Sequence, residues 1–113
     1  MAFIPVTLAV NATTTDEIDV DEHEVVVGFI LDGNLTGTSL SFTAAATDGG
    51  TFVAVEDDSS TAVSITVGTS SISMLTTASK IAAISPLKHF KIVSGSTQTT
   101  NPSVITVLTQ RVC

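Results

Sequence analysis

Leu40-Ser41-Phe42-Thr43-Ala44-Ala45-Ala46-Thr47-Asp48-Gly49-Gly50-Thr51-Phe52-Val53-Ala54-Val55 is the stretch on which the fold turns. Leu40, Phe42 and Ala44 alternate with Ser41, Thr43 and Ala45, the period of a strand with one face inward. Asp48-Gly49-Gly50 then supplies a turn, because glycine enters positive φ freely and aspartate bonds to its own backbone. Phe52 to Val55 comes back as a second strand.

The same rhythm extends in both directions. Downstream, Asp57-Asp58-Ser59-Ser60 marks a turn, and Val63, Ile65 and Val67 alternate against Ala62, Ser64 and Thr66. Upstream, Val25 to Leu31 is almost unbroken apolar sequence and reads as a central strand buried on both faces. Gly28 inside it marks a bulge or a close contact. Ile4, Val6, Leu8 and Val10 read as a first strand. Lys88 to Val93 alternates, with Phe90 and Ile92 on one face. A polar loop from Ser94 to Ser103 follows, and Val104 to Leu108 returns. An antiparallel hairpin is the simplest connection between these last two strands. Residues 71–85 are ambiguous: Ile72, Met74, Ile81 and Ile84 fit short strands, and 76–84 also fits one or two helical turns. Extended structure is the preferred reading, and Pro86 ends any helix. The sum is about eight strands, spaced as in an all-β antiparallel β-sandwich. Residues 1–113 form one domain, with an acidic segment at 16–24.

Composition agrees. Hydrophobic residues make up 43% and charged residues 13%, the reverse of a disordered chain. Abundant Thr and Val favour a pleated, half-buried surface. The net charge of −7, with four basic residues, repels phosphate backbones and anionic membrane surfaces. Neither nucleic acid nor membrane is therefore expected as a partner. No basic region precedes the apolar residues near Met1, so no secretory signal is expected. The single cysteine, Cys113, has no intramolecular partner and no basic neighbour in sequence to activate it.

The chemistry-bearing residues are few. Asp16, Glu17, Asp19, Asp21, Glu22 and Glu24 alternate through the acidic segment. Asp19 and Asp21 are the candidates for a hard cation, although the spacing does not match an EF-hand loop. A solvated edge is the simpler reading, since charge on an edge strand blocks unwanted pairing. Glu56, Asp57 and Asp58 form a smaller acidic turn. His89 sits opposite in phase to the apolar face of its strand and reads as a surface residue, as does His23 among the acids. Asn11-Ala12-Thr13 and Asn34-Leu35-Thr36 match the glycosylation sequon by chance in a Thr-rich chain, and Pro102 excludes Asn101. No phosphate loop, dinucleotide fingerprint, CxxC or HExxH is present. No cofactor and no enzymatic activity are expected.

Two segments carry a resemblance. The stretch Leu40 to Val55 resembles the strand, Asp-Gly turn and aromatic strand of discoidin-like jelly rolls. Leu87-Lys88-His89-Phe90-Lys91-Ile92-Val93-Ser94-Gly95 with Val104-Ile105-Thr106-Val107-Leu108 resembles their final core strands. The combination is also similar to small virion proteins of tailed bacteriophages. That resemblance implies a jelly-roll-like sandwich and a capsid decoration (cement) or head-spike protein. It would be assembled in the host cytoplasm, sit on the capsid surface, bind the major capsid protein and form a homo-oligomer, with a trimer favoured. Phe3, Ile4 and Val112, at the apolar ends of the chain, are the candidate contacts. The alternatives are a phage tail or fibre component and a carbohydrate- or ligand-binding module. Against the last stands the absence of Trp and Tyr on which a sugar would stack.

Overall fold

A computed structural model describes residues 2–99 and 101–112. The described residues form nine strands and one helix: β1 (Ala2–Leu8), β2 (Ile18–Asp19), β3 (Glu24–Leu31), β4 (Ser39–Ala45), β5 (Val53–Ala54), β6 (Ser64–Thr66), β7 (Ser71–Met74), α1 (Ala78–Ile84), β8 (His89–Ser94) and β9 (Ser103–Arg111). They build two antiparallel sheets, ordered β1-β9-β3-β7 and β2-β8-β4-β5, with β6 also paired to β4.

The pairs are nested. The first strand pairs with the last, β2 with β8, β3 with β7, and β4 with β5 and β6, which lie end to end along one edge of it. The chain is thus a long antiparallel double strand rolled up, and rolling brings β3 against β9 and β4 against β8. That is the jelly-roll form of the β-sandwich. With β5 and β6 sharing one place, the sandwich has the eight positions expected.

Alternation sets the faces. Ile4, Val6 and Leu8 of β1 point inward, as do Phe29 and Leu31 of β3, Phe42 of β4, and Phe90 and Ile92 of β8. Phe29 and Phe42 stack across the sheets with ring centroids 5.7 Å apart, and Phe90 meets Phe42 edge-on at 6.2 Å. Three phenylalanines thus sit at the centre of an otherwise aliphatic core.

Two expectations are corrected. β8 and β9 do not form a hairpin: β8 pairs with β4 and β2 in one sheet, and β9 with β1 and β3 in the other. Alternation assigns faces, not neighbours, and both strands are central, so their patterns look alike. The connection between them crosses the end of the sandwich and is held by Gln98, which is fully buried. Its Oε1 accepts from Thr36 N at 3.1 Å and its Nε2 donates to Thr36 O at 3.0 Å.

The second correction concerns residues 71–85. Ser71–Met74 is extended as expected, but Ala78–Ile84 is helical. Ala82 and Ala83 favour a helix, and Ile84 caps one end of the core at 0% exposure. Ser85 ends the helix just before Pro86, and it also explains the bulge at Gly28. Its carbonyl accepts from Val26 N, and its Oγ donates to Val26 O at 2.6 Å. Val26 is thereby drawn away from even pairing, and the β3–β9 register shifts between Val26 and Gly28. Gly28 is required for a second reason. A Cβ there would lie 2.9 Å from Ser73 O and 2.8 Å from Met74 Sδ.

The turn after β3 is tied to the start of β9. Asp32 Oδ1 accepts from Asn34 N and from the buried Ser103 Oγ, and Oδ2 accepts from Val104 N at 2.8 Å. Desolvation pushes the Asp32 carboxyl up, but the hydrogen bonds from Val104, Ser103 and Asn34 outweigh it and hold the group below its ordinary value.

Candidate functional site

Two surfaces stand out, one on each sheet. The first is the outer face of the β1-β9-β3-β7 sheet. Direct partners in antiparallel strands share a face, so the register reads it off in rows. One row runs Phe3, Leu108, Gly28, Met74, and the next runs Pro5, Thr106, Ile30, Ile72. Thr7 and Val104 begin a third. Phe3 is 60% exposed, Ile72 61% and Met74 47%. Leu108 is buried yet lies outside the core cluster, as a side chain on the far side of the sheet must.

β7 makes the orientation clear. Ser71 and Ser73 face inward, where Ser71 opposes Leu31 and Ser73 opposes Phe29, while Ile72 and Met74 face out. A strand that served only the core would do the opposite. None of the residues in the first two rows is ionisable, in a chain of net charge −7, while the Asp32 carboxylate stands beside Val104 at the end of the third.

Of the terminal residues proposed from sequence, Phe3 belongs to this face. Ile4 does not: it points inward and packs against the core cluster, one residue out of phase with Phe3. Val112 is exposed beyond β9, with its N–H bonded to His23 O at 2.7 Å. Cys113 lies outside the described residues.

The second place is on the β2-β8-β4-β5 sheet. Asp19 on edge strand β2, His89 on β8, Glu17 just before β2 and Asp48 in the turn between β4 and β5 come together, with one ligand atom of each within 4.8 Å of the others. Asp19 Oδ1 lies 2.8 Å from His89 Nδ1, and Glu17 Oε2 lies 3.7 Å from it. Glu17 Oε1 accepts from Gly49 N at 3.0 Å, which pins the Asp48-Gly49 turn to β2. Glu17 Oε2 is buried and has no hydrogen-bond partner among the described residues. The three carboxylates are donors that a hard cation accepts, and the imidazole beside them is a donor for borderline transition ions such as zinc. Asp21, the other acid singled out from sequence, lies elsewhere: its Oδ1 accepts from His23 N at 2.8 Å and closes a local turn. His89 is therefore half-buried among acids and not an isolated surface histidine.

The cluster has an electrostatic consequence. The hydrogen bond with Glu17, followed by repulsion from its charge, holds the Asp48 carboxyl above its ordinary value of 3.8. A raised carboxyl binds its proton more tightly in the folded state. Its contribution to stability is complete below pH 3.8 and is lost as pH rises through the raised value. Asp48→Asn keeps a hydrogen-bonding group and removes the charge. The expected result is a higher melting temperature at pH 7 and no gain at pH 3, measured by thermal denaturation at both.

An open cleft of about 410 Å³ lies between β6 and β7, lined by Ser64, Thr66, Ser73, Thr76, Thr77 and Lys80 among others. It is hydroxyl-rich and has no aromatic lining.

Sequence reasoning named Asp19 and Phe3; it did not group Glu17, Asp48 and His89 with the first, nor Ile72, Met74, Ile30 and Leu108 with the second. The alternation in Ser71-Ile72-Ser73-Met74 was visible, but its phase relative to the core was not. No protein-family model matches the chain. No curated protein and no solved structure matches it.

Proposed function

We propose that this chain is a structural protein of an assembly, and that the assembly is a virion on which it decorates the capsid. The observation that carries the structural role is the uncharged apolar face of the β1-β9-β3-β7 sheet. Leaving Phe3, Ile72 and Met74 in water is unfavourable by about 25 cal/mol for each Å² of apolar area, and burial against a protein surface recovers it. The virion setting rests on the resemblance of segments 40–55 and 87–108 to small phage virion proteins. A jelly roll is compatible with capsid and with ligand-binding roles alike, so the fold does not choose between them.

In this reading the chain works by contact. Copies associate with one another and with the major capsid protein, and each buried contact adds to the stability of the shell. The acidic groups of the opposite sheet steer the protein to basic sites on its partner. A ligand-binding module is the second reading, favoured only by the hydroxyl-lined cleft beside Lys80.

Quantitative mass spectrometry of purified virions from the source tests the role. Copies comparable in number to the major capsid protein are expected. A few copies per particle would assign the chain to a tail, fibre or vertex, and its absence from particles would favour the ligand-binding module.

A further inference from the structure

We infer that Glu17, Asp19, Asp48 and His89 bind one divalent transition ion of the zinc class, which ties edge strand β2 and the β4–β5 turn to the middle of their sheet. This site lies on the sheet opposite the apolar face, and the inference stands apart from the virion reading.

Alternation brings the four side chains together. Ile18 of β2 is buried in the core, so Glu17 and Asp19 on either side of it point outward. His89 is the register partner of Asp19, and Phe90 that of Ile18. The imidazole therefore shares the outer face with the Asp19 carboxylate, while the Phe90 ring goes inward. Across β8, His89 pairs with Ala45, the last residue of β4, and the turn beyond it carries Asp48. Gly49 has a φ of +69°, a conformation that suits glycine, and its N–H donates to Glu17 Oε1 at 3.0 Å. That bond holds the turn over the row and Asp48 beside Glu17.

The buried oxygen of Glu17 points to a ligand. No described residue donates a hydrogen bond to Glu17 Oε2. His89 Nδ1 stands 3.7 Å away, beyond hydrogen-bonding reach, and its bond is with Asp19 Oδ1 at 2.8 Å. A buried acceptor of this kind is satisfied by an ion or by water. Charge decides between the two. Three carboxylates face at most one positive imidazole, and among the described residues no lysine or arginine pairs with any of them. A divalent cation supplies the missing charge, and water supplies none. The raised carboxyl of Asp48 reflects the same uncompensated charge.

The donor set and its spacing choose the ion. Calcium and magnesium take oxygen ligands, so an imidazole in the set disfavours both. Imidazole suits zinc, and manganese binds such sites more weakly. Ligand atoms about 2.0 Å from a tetrahedral zinc lie about 3.3 Å from one another. The observed separations of 2.8 and 3.7 Å straddle that value, and no pair among the four ligand atoms exceeds 4.8 Å. His89 binds as the neutral imidazole, through Nδ1 with the ring proton on Nε2. The ion joins three segments that are distant in the chain, and it stabilises the folded state by mass action.

Isothermal titration calorimetry of the full chain at neutral pH, after stripping with EDTA, tests the inference. One Zn²⁺ per chain is expected, with a dissociation constant below about 10 μM. Ca²⁺ should bind at least tenfold more weakly. Zinc at about a hundredfold excess over that constant should raise the melting temperature by roughly 10 °C. Glu17→Gln keeps an oxygen for Gly49 N–H and puts an amide in place of the unpartnered oxygen, and His89→Gln removes the imidazole. Each should weaken zinc binding at least tenfold, with circular dichroism confirming that the variant is folded. Asp58→Asn removes the same charge from an exposed turn and should leave binding unchanged. Asp48→Asn should melt higher than the native chain in EDTA, yet gain less than half of its rise with zinc. In NMR spectra zinc should move the ring signals of His89 and leave those of His23 in place. No binding, binding that survives both Glu17→Gln and His89→Gln, calcium as tight as zinc, or a shift at His23 in place of His89 would overturn the inference.

Discussion

Phe42→Ala is expected to lower the unfolding free energy by about 3–5 kcal/mol, the largest single effect in this protein. Phe42 is 2% exposed and lies where the two sheets meet. It stacks on Phe29 of the opposite sheet at 5.7 Å and meets Phe90 of its own sheet edge-on at 6.2 Å. Truncation removes both ring contacts and opens a cavity at the centre of the core. The strands around it are held by ladders on both sides, since β4 pairs with β8 on one edge and with β5 and β6 on the other. They have little freedom to collapse into the gap, so the substitution falls toward the upper part of that range. A domain of this size has about 5–15 kcal/mol of stability in total. Urea denaturation should therefore show a much lower midpoint with an unchanged slope, and Phe42→Leu should recover more than half of the loss. A loss below about 1 kcal/mol would mean that the sheets do not close over this ring.

The second large effect is at Gln98. Gln98→Leu is close in volume and more apolar, so a simple count of buried area would make it harmless. The expected result is a loss of about 1–3 kcal/mol, because the N–H of Thr36 would be left unpartnered and its C=O would keep only the hydroxyl of Ser94. The Gln98 amide serves those two groups as a neighbouring strand would, at 3.1 and 3.0 Å. The backbone of Gln98 is engaged as well, its N–H with Ala12 O and its carbonyl with Asn11 N, and those bonds survive the substitution. The side-chain pairing fixes where the crossing between sheets passes the turn before β4. The same denaturation measurement checks it, and Gln98→Glu at neutral pH should be at least as damaging, since a carboxylate cannot donate to Thr36 O. A neutral result for Gln98→Leu would show that water replaces the amide there.

The strands were legible because side chains alternate with strict period two. Leu40 to Ala45, Val63 to Val67 and Val25 to Leu31 fall in observed strands or next to them, and Gly28 lies at both a bulge and a close contact. What alternation does not contain is partnership. β8 and β9 have the same pattern and sit in different sheets, and only the burial of Gln98 shows how the chain passes between them. Nor does it contain phase. Ser71-Ile72-Ser73-Met74 fits a strand without saying which face meets the core, and pairing with Leu31 and Phe29 turns the serines inward. The helix at Ala78–Ile84 is a case of balanced propensities decided by Ile84, which the end of the core requires.

The acidic cluster was legible only in part for a similar reason. Asp19 belonged to a visible acidic run, but its neighbours come from a turn 29 residues on and a strand 70 residues on, at Asp48 and His89. Within the run itself, residues two apart share a strand face only while the strand lasts. β2 ends at Asp19, so Asp21 is free to close a turn of its own.

The charged cluster and the row of exposed apolar side chains lie on opposite sheets. One sheet gathers charge at Glu17, Asp19, Asp48 and His89; the other exposes the apolar side chains of Phe3, Ile72 and Met74. The central claim is that this second surface is covered when the protein does its work. Hydroxyl-radical labelling of the side chains, compared between the dilute chain and the chain in its native particle, tests that claim most directly. Strong labelling of Phe3 and Met74 in the dilute chain and at least severalfold protection of both in the particle is the result expected, with Val53 far less affected. Equal labelling of Phe3 and Met74 in the two states would contradict it, for it would leave the apolar face open to water in the assembly.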